Sequence, residues 1–418
     1  MRLALLFSLT FGYAIQAAEP DWPMFRGPKR DGLSPDKGLL KSWPADGPPL
    51  AWKAEGVGKG YSSVVVVGDK VITMGDKSDA CYIFAVSRKD GKYLWEAKVG
   101  KPGGGGGYPG PRCTPAVDGD YVYALGQHGD FVCVALADGK EKWRYNFGKD
   151  FKGSSGDWQY SESPLVDGDK VLCTPGGREA LMLALNKKTG KVIWQGFTPD
   201  GESAGYSSIV AYTGPGGKQY VTLTSKSVVS FAAETGKFLW RFGATGQRFA
   251  DNIANVPTVV LMPAANQLFA SAGYGRGAAL IQVSSTGGKM DAKEIYWEET
   301  LTNKHGGVIR VGDYLYGDRD DTGRIWCAEA KTGKVMWNRK DREEGDKSAS
   351  ITYADGMLYV RYQNGWVSLV SANPKTYQPI STFRLPDGGN CWAHPVVIGG
   401  KFYVREMNTI WCYNVAQK

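Results

Sequence analysis

Only three histidines occur in 418 residues, His128, His305 and His394, so any imidazole chemistry rests on those positions. Cysteine is present seven times, yet no two cysteines are adjacent and none are spaced Cys-x-x-Cys. That removes the sequence support for zinc, covalent haem or a vicinal disulfide. There is no heptad repeat and no long helical periodicity. Basic runs are absent too: the formal charge of +8 is spread singly through turns, which suits solvated hairpins and speaks against a nucleic-acid partner. Long apolar runs are also missing. The apolar stretch at residues 3–15 follows Met1-Arg2, ends in the small residues Ala17-Ala18, and is too short to span a bilayer. It reads as a signal peptide over residues 1–18, which implies a mature chain exported to the periplasm or beyond, with no transmembrane segment.

What the chain has in quantity is glycine, 56 residues, and tryptophan, 14, and the two recur together. A few small apolar residues, a turn close to Lys-Thr-Gly-Lys, two or three strand residues and a tryptophan return along the sequence. Plain copies run from Lys89-Asp90-Gly91-Lys92 to Trp95, Asp138-Gly139-Lys140 to Trp143, Thr189-Gly190-Lys191 to Trp194, Thr235-Gly236-Lys237 to Trp240 and Thr332-Gly333-Lys334 to Trp337. A stretched copy leads from Thr286-Gly287-Gly288-Lys289 to Trp297, and a degenerate one from Asn373-Pro374-Lys375 to Phe383. From Trp52 onward the aromatic positions lie 40 to 57 residues apart, in or near the range of four-stranded propeller blades. Each unit divides into four short strands; in the second, residues 114–117, 121–125, 131–135 and 141–146 are separated by Gly and Asp turns, as tight hairpins require.

Isolated four-stranded sheets expose both faces, so the units must stack, and radial closure leaves only short edges. The expected fold is all-β: an eight-bladed propeller over residues 50–418, preceded by an N-terminal extension at 19–49. The chain ends on a third strand, so the strand around Trp52 is expected to add the fourth and close the ring. Trp52, Trp95, Trp143, Trp194, Trp240, Trp297 and Trp337 are expected to dock neighbouring blades, each burying a large ring and bonding its indole N–H. Cys81, Cys133, Cys327 and Cys412 fall in third strands and Cys173 in a second, where cysteine packs as a small apolar side chain. Cys113 and Cys391 each precede a first strand in neighbouring parts of the ring and form a candidate disulfide. Residues 102–107, with five glycines, read as a flexible connection.

The two faces of such a ring carry different loops. Turns between first and second strands, and the Thr-Gly-Lys turns, are short and repetitive. Turns between second and third strands, and the crossings between blades, are longer, varied and aromatic. Irregular loops on a rigid frame are where binding residues gather. The candidates for contact with a ligand or partner are Tyr61, Arg112, Trp158, Glu162, Tyr206, Arg276, His305, Trp392 and His394. His305 and His394 fall at equivalent places before first strands, toward the channel mouth, and His128 lies in a turn on the same face. Each has a structural alternative, since a histidine at a strand entrance bonds loop backbone and the Arg and Glu side chains order loops as ion pairs. The run from Asp318 to Gly323 lacks the spacing and closing Glu of a calcium loop. Gly273-Tyr274-Gly275-Arg276-Gly277 precedes a strand rather than a helix, which rules out a nucleotide loop. No catalytic residue and no metal set can be placed.

The unit Ala184-Leu185-Asn186-Lys187-Lys188-Thr189-Gly190-Lys191-Val192-Ile193-Trp194 resembles the repeat of the pyrroloquinoline-quinone-like (PQQ-like) β-propeller proteins, and the resemblance covers essentially all of the mature chain. The segments Asp21-Trp22-Pro23-Met24-Phe25-Arg26-Gly27-Pro28, Lys304-His305-Gly306-Gly307 and Trp392-Ala393-His394-Pro395 look like those of a bacterial exported subgroup. Two branches of the family imply different functions. Quinoprotein alcohol dehydrogenases are similar in having eight such blades, but they clamp the quinone between a tryptophan and an adjacent Cys-Cys ring and hold calcium with acidic and amide side chains. The lipoprotein subunit of the outer-membrane barrel-assembly machine has the fold without a cofactor and docks a partner protein, although the present chain has no cysteine for lipid attachment near its start. The leading expectation is a monomeric, exported, non-catalytic propeller without a cofactor that binds a protein or envelope ligand through its irregular face. The alternatives are an alcohol or sugar dehydrogenase carrying PQQ and calcium, and a carbohydrate-binding propeller using Trp158, Tyr160, Tyr206 and Trp392.

Overall fold

Turn signals and β-branched runs resolve into eight antiparallel sheets of four strands each among the described residues, which are 20–246, 248–339, 344–386 and 388–417 of the computed structural model. The leader expected at residues 1–18 lies outside them. Blade 1 comprises Val65–Val67, Lys70–Asp76, Cys81–Ser87 and Tyr93–Gly100, and blades 2 to 7 follow in chain order. Blade 8 takes Val396–Ile398, Lys401–Glu406 and Thr409–Asn414 from the C-terminal end and Leu50–Glu55 as its outer strand. Trp52 there stands opposite Cys412 and Lys53 opposite Trp411. The eight-bladed ring and its closure by the strand around Trp52 agree with the repeat.

Burial explains the composition of the strands. Inner strands are covered on both faces by neighbouring blades, and Met357–Tyr362 is buried at every position. Outer strands such as Tyr93–Gly100 largely alternate buried and exposed residues, because successive side chains point to opposite faces and one face is only partly covered.

The Thr-Gly-Lys turn and the tryptophan are two halves of one contact between neighbouring blades. In blades 1 to 7 the ladder between third and fourth strands slips near that turn, and such a bulge bends and twists the strand. The tryptophan beside the bulge then crosses the seam onto the glycine of the next blade. A Cβ on Gly190 would meet the Trp143 ring at 2.8 Å, one on Gly139 the Trp95 ring at 2.7 Å and one on Gly91 the Trp52 ring at 2.6 Å. Each indole N–H donates to a carbonyl oxygen of the next blade: Trp52 to Arg88, Trp95 to Leu136, Trp143 to Lys187, Trp194 to Ala233 and Trp337 to Asn373, at 2.8–3.2 Å.

Three seams depart from this rule. Trp240 donates to Gln219 Oε1 of its own blade at 2.9 Å. In blade 5 the register places Tyr296, not the expected Trp297, at the seam: Tyr296 stands opposite Leu280, and its hydroxyl donates to the Ala330 carbonyl at 2.9 Å. The long hairpin of Gly277–Thr286 and Lys289–Glu298 displaces the aromatic pattern by one residue, and Trp297 instead packs on Phe249 beneath Arg248. Between blades 7 and 8 the residue opposite Leu369 is Ser381, and the N-terminal extension supplies what is missing. Trp43 lies among Tyr359, Phe383 and Phe402, with its backbone N–H donating to Ser381 Oγ. A Cβ on Gly47 would be 2.7 Å from the Phe383 ring.

The same extension crosses the ring. Trp22 pairs with Val66 of blade 1, and the Pro23 carbonyl accepts from Val117 N of blade 2. Arg30 donates to the carbonyls of Ser163 and Pro164 in blade 3, Arg26 to Val308 at the entrance to blade 6, and Leu33 pairs with Tyr353 of blade 7. Residues 22–33 therefore plug the central channel. The chain then runs along the short-turn face, where Asp36 accepts from Gly400 N and Leu40 N donates to the Val415 carbonyl.

If the glycine exists to admit the indole, Gly190→Ala should cost about 1–3 kcal/mol by overpacking, beyond the cost of a left-handed Ala. Gly168 has φ +61° with open space around it, so Gly168→Ala reports the backbone term alone. Urea titration of the two variants should place Gly190→Ala clearly lower; equal losses would show that the seam contact contributes nothing.

Candidate functional site

Seven of the nine candidate residues come together. Tyr61, Arg112, Trp158, Tyr206, His305, Trp392 and His394 line a cavity of about 540 Å³ on the irregular face. Its floor is not a blade. Phe25 and Arg26, carried on the plug by a tight turn in which Gly27 N donates to the Met24 carbonyl and Gly32 N to the Arg26 carbonyl, stand beneath it. Phe25 meets the His394 ring edge-on at 4.9 Å.

Glu162 and Arg276 are not part of the lining. Glu162 is buried, accepts from the Thr174 amide and hydroxyl, and is held up at about pKa 7 by desolvation despite those bonds and the nearby Arg30. Arg276 donates to the Asp251 carbonyl at 2.8 Å. Tyr160 is also drawn inward, donating to the Pro175 carbonyl at 2.8 Å against Phe147. His128 bonds the Pro102 carbonyl at 3.2 Å. The glycines of residues 102–107 are a seat rather than a flexible connection: Gly105 lies against the Asp157 carbonyl and Gly106 against the Trp158 ring, where any Cβ would collide. Cys113 and Cys391 are buried thiols, as are the other five, and none is in a disulfide. Cys113 Sγ accepts from Leu125 N, and Cys391 Sγ accepts from Ala393 N and lies 3.9 Å from the Gly60 carbonyl, so each thiol is engaged elsewhere.

One wall of the cavity is a stack of planar groups. The His305 ring lies 4.1 Å from that of Trp392 at 13°, Trp392 lies 4.3 Å from Tyr61 at 22°, and the Arg112 guanidinium sits 5.5 Å from the Tyr61 ring centre. Arg112 Nη2 donates to the Tyr108 carbonyl at 2.8 Å. Trp392 is thereby covered on both faces. The opposite wall joins Lys304, which bonds Asp321 at 2.6 Å and stands 4.4 Å over Tyr274. Asp321 also accepts from Ser348 Oγ at 3.0 Å. With its proton so committed, Ser348 Oγ accepts from His305 Nδ1–H at 3.0 Å, which fixes His305 as the Nδ1–H tautomer with Nε2 unprotonated. His394 Nε2 donates to the His305 carbonyl at 3.1 Å, so its Nδ1 is the lone-pair nitrogen, and it has no partner among the described residues. Burial, reinforced by Arg26, holds His394 down at about pKa 3; burial and Lys304 lower His305 as well. Both rings are neutral near pH 7.

Sequence reading missed the band that ties these walls together. Just before successive first strands, a backbone N–H of one blade donates to a hydroxyl of the next: His394 N to Ser63 Oγ at 2.6 Å, Ser63 N to Thr114 Oγ1 at 3.1 Å, Thr114 N to Ser163 Oγ at 2.9 Å, Ser163 N to Ser208 Oγ at 3.0 Å and Ser208 N to Thr258 Oγ1 at 3.5 Å. Ser63, Ser163, Ser208 and Thr258 line the cavity. The signal was present as a hydroxyl residue at the same place in Tyr61-Ser62-Ser63, Ser161-Glu162-Ser163, Tyr206-Ser207-Ser208 and Val256-Pro257-Thr258. The Asp318 to Gly323 turn was also underread. It delivers Asp321 to the cavity, while Asp318 is buried and accepts from Asn303 Nδ2 and Ala349 N.

The fold defines an eight-bladed propeller of PQQ-like repeats, with a floored cavity on its irregular side. The chain belongs to the family described as outer membrane protein assembly factor BamB, whose sequence model matches residues 79–339, more than half of the chain. BamB of Shewanella oneidensis is 24% identical over 266 residues, which span 59% of this chain and 60% of that protein. Quinohemoprotein alcohol dehydrogenase ADH IIB of Pseudomonas putida is 30% identical over 142 residues, 32% of this chain and 20% of that protein. The crystal structure of quinohemoprotein alcohol dehydrogenase from Comamonas testosteroni superposes with a TM-score of 0.66 over 97% of this chain and 82% of that one, at 13% identity. That likeness is one of fold.

The residues here do not fit a PQQ clamp. Of the two tryptophans in the lining, Trp392 has both faces occupied by His305 and Tyr61, and Trp158 meets Tyr206 edge-on. No two cysteines adjoin, and no group of three or more His, Cys, Asp or Glu side chains placed to hold a metal occurs among the described residues. No helix among them is long and apolar enough to cross a membrane.

The histidines carry a pH signature. Unfolded imidazoles bind a proton near 6.5 and folded His394 only near 3, so between those values the unfolded state holds more protons and stability falls as pH drops. Glu162 acts oppositely, since its folded value lies above its unfolded 4.5. Urea titrations at pH 7 and pH 5 should show His394→Asn losing about 2 kcal/mol less than the unmodified protein on acidification, and Glu162→Gln losing more. Parallel losses in all three would mean that the buried rings are protonated.

Proposed function

We propose that this is an exported, non-catalytic binding propeller that takes a small polar ligand of the cell envelope in the floored cavity of its irregular face. The observation that carries this reading is the plug. By setting Phe25 and Arg26 under the cavity, residues 22–33 turn an open channel mouth into a concave site of about 540 Å³, within the range of small-ligand pockets. Its lining mixes tyrosine and tryptophan rings with hydroxyls and a few charges, and its two histidines, His305 and His394, are tied into tautomers by their neighbours. Such a site is built to hold rather than to react. Export agrees with the family, whose members are named as outer membrane protein assembly factors.

A protein partner is the second reading, and the family name supports it. In that case a side chain or loop of the partner would enter the same cavity. The two readings separate in one experiment. A thermal-melt panel of neutral and acidic sugars, nucleosides and short acidic or basic peptides is run on the unmodified protein and on Ser208→Trp, which fills the cavity. At a hundred times the dissociation constant a ligand adds about 2.7 kcal/mol, so a binder raises the midpoint by several degrees in the unmodified protein and not in Ser208→Trp. Peptides that act alone establish the protein-partner reading, and shifts unaffected by Ser208→Trp put binding outside the cavity. Addition of PQQ with Ca²⁺ should give no bound-quinone spectrum and no dye reduction with alcohols or sugars.

A further inference from the structure

Two of the cations that line the cavity, Arg26 and Arg112, have no carboxylate in contact among the described residues, although Asp31 acts on Arg26 electrostatically. Arg26 is 4% exposed, and its Nη2 is used by the carbonyls of Val308 and Asp31. Its Nη1 bonds nothing among the described residues and lies beside Gly307 and His394: a Cβ on Gly307 would stand 3.2 Å from Arg26 Nη1 and 3.3 Å from His394 Cε1. No carboxylate forms an ion pair with Arg26 or with Arg112 among the described residues, whereas Lys304 has Asp321. A buried charge without a partner is costly, and guanidinium bonding to carbonyls alone offsets only part of that cost. Desolvation lowers the pKa of Arg26 to about 10 and that of Arg112 below its usual value, yet both remain charged at neutral pH.

The hydroxyl band adds donors of another kind. Because Ser63, Ser163, Ser208 and Thr258 each accept a backbone N–H, their own O–H protons are left to donate, and no acceptor for them occurs among the described residues. The hydroxyl band thus adds uncommitted O–H donors to the two guanidinium groups at the cavity. The ligand that answers this is rich in oxygen acceptors and negatively charged. It is also not a flat ring seeking a clamp, because Trp392 is sandwiched between His305 and Tyr61. Tyrosine and tryptophan edges beside hydroxyls and lone-pair nitrogens, His305 Nε2 among them, instead match a ring that carries its own hydroxyls.

Resting on the cavity reading above, we propose that the ligand is an acidic sugar, its carboxylate held by Arg26 at the floor with Arg112 at the wall, and its ring oxygens met by the hydroxyl band. The carboxylate then makes the direct ion pair with Arg26 that Asp31 of the plug does not make. Arg26 reaches the cavity only because the N-terminal segment threads the channel, so anion selectivity would be a property of the extension and not of any blade.

Calorimetric titration tests this with D-glucuronate, D-galacturonate and N-acetylneuraminate, each against a neutral counterpart: D-glucose, D-galactose and the methyl ester of N-acetylneuraminate. At least one acid should bind tenfold or more tightly than its neutral partner. Arg112→Gln, and separately Arg26→Gln, should bring that ratio toward one, weakening the acid tenfold or more and its neutral counterpart by much less. Arg26→Gln removes bonds that also hold the plug, so Arg112→Gln carries the test if that variant fails to fold. Ratios near one, or a preference that survives Arg112→Gln, overturn the proposal, as does PQQ displacing the bound acid. Neutral sugars that bind as well as the acids, with loss in Ser208→Trp, would sink this inference and leave the cavity reading standing. No binding of any sugar, with peptide binding lost in Ser208→Trp, would remove both.

Discussion

A ring of blades is stable only if its last seam is as good as its others, and here that seam depends on the N-terminal segment. Seven blades carry their own outer strand; blade 8 borrows Leu50–Glu55. A borrowed strand arrives without the hairpin turn that would have set a glycine beneath the aromatic ring of blade 7. Gly47 and Trp43 supply that contact from upstream, and Phe383, Phe402 and Tyr359 complete it. Once residues 43–55 are committed to the seam, the chain before them has to approach from the short-turn face. From that same face the segment dips into the channel and returns, with Asp21 accepting from Gly68 N before the plug and Asp36 from Gly400 N after it, and between them its polar groups meet backbone atoms of blades 1, 2, 3, 6 and 7. Closure, plug and cavity floor are therefore one constraint seen at three places.

That constraint explains why the candidate site is chemically lopsided. Blades contribute what the repeat can provide at a first-strand entrance, a hydroxyl that accepts the neighbouring N–H, and repetition around the ring accumulates unused O–H donors. The plug contributes what the repeat cannot, a guanidinium at the axis. His305 and His394 sit where the two systems meet, and burial beside Arg26 and Lys304 keeps them neutral. Protonating either would add a further cation to a region that already holds more positive than negative charge. The rings therefore act as fixed acceptors in a field of donors, and this is the polarity that an anion-bearing polyol would need.

Much of the fold was legible because the repeat states its own geometry. A glycine that must admit an indole and adopt φ near +70° has few substitutes, so Gly91, Gly139, Gly190 and Gly236 survive as a readable signature, and period alone then fixes the blade count. Register was less legible: the hairpin of blade 5 shifts the seam residue from Trp297 to Tyr296, and no local signal distinguishes two adjacent aromatics. The site was half legible. Aromatic and charged residues in the crossings pointed to the correct face, but exposure cannot be told from motif alone, and Glu162 and Tyr160 turned inward where Thr174 and Pro175 offered them partners. The plug could not be read at all. Its contacts join residues as far apart as Arg26 and Val308, and nothing in the spacing of Trp22 to Asp31 announces which strand ends they meet.

The same reasoning limits what fold likeness carries. Seam contacts account for nearly every residue that makes this chain recognisable as a PQQ-like propeller, and they lie on the side of the molecule away from the cavity or deep between blades. A chain can keep all of them while changing every group at the channel mouth. Here the planar stack of His305, Trp392 and Tyr61 covers both faces of Trp392, no two cysteines adjoin to form the other jaw of a clamp, and the floor is made by a segment outside the repeat. Membership of the family therefore constrains the frame, whereas ligand choice follows from Arg26, Arg112 and the hydroxyl band. These are the positions at which substitution should change what is bound without changing the ring.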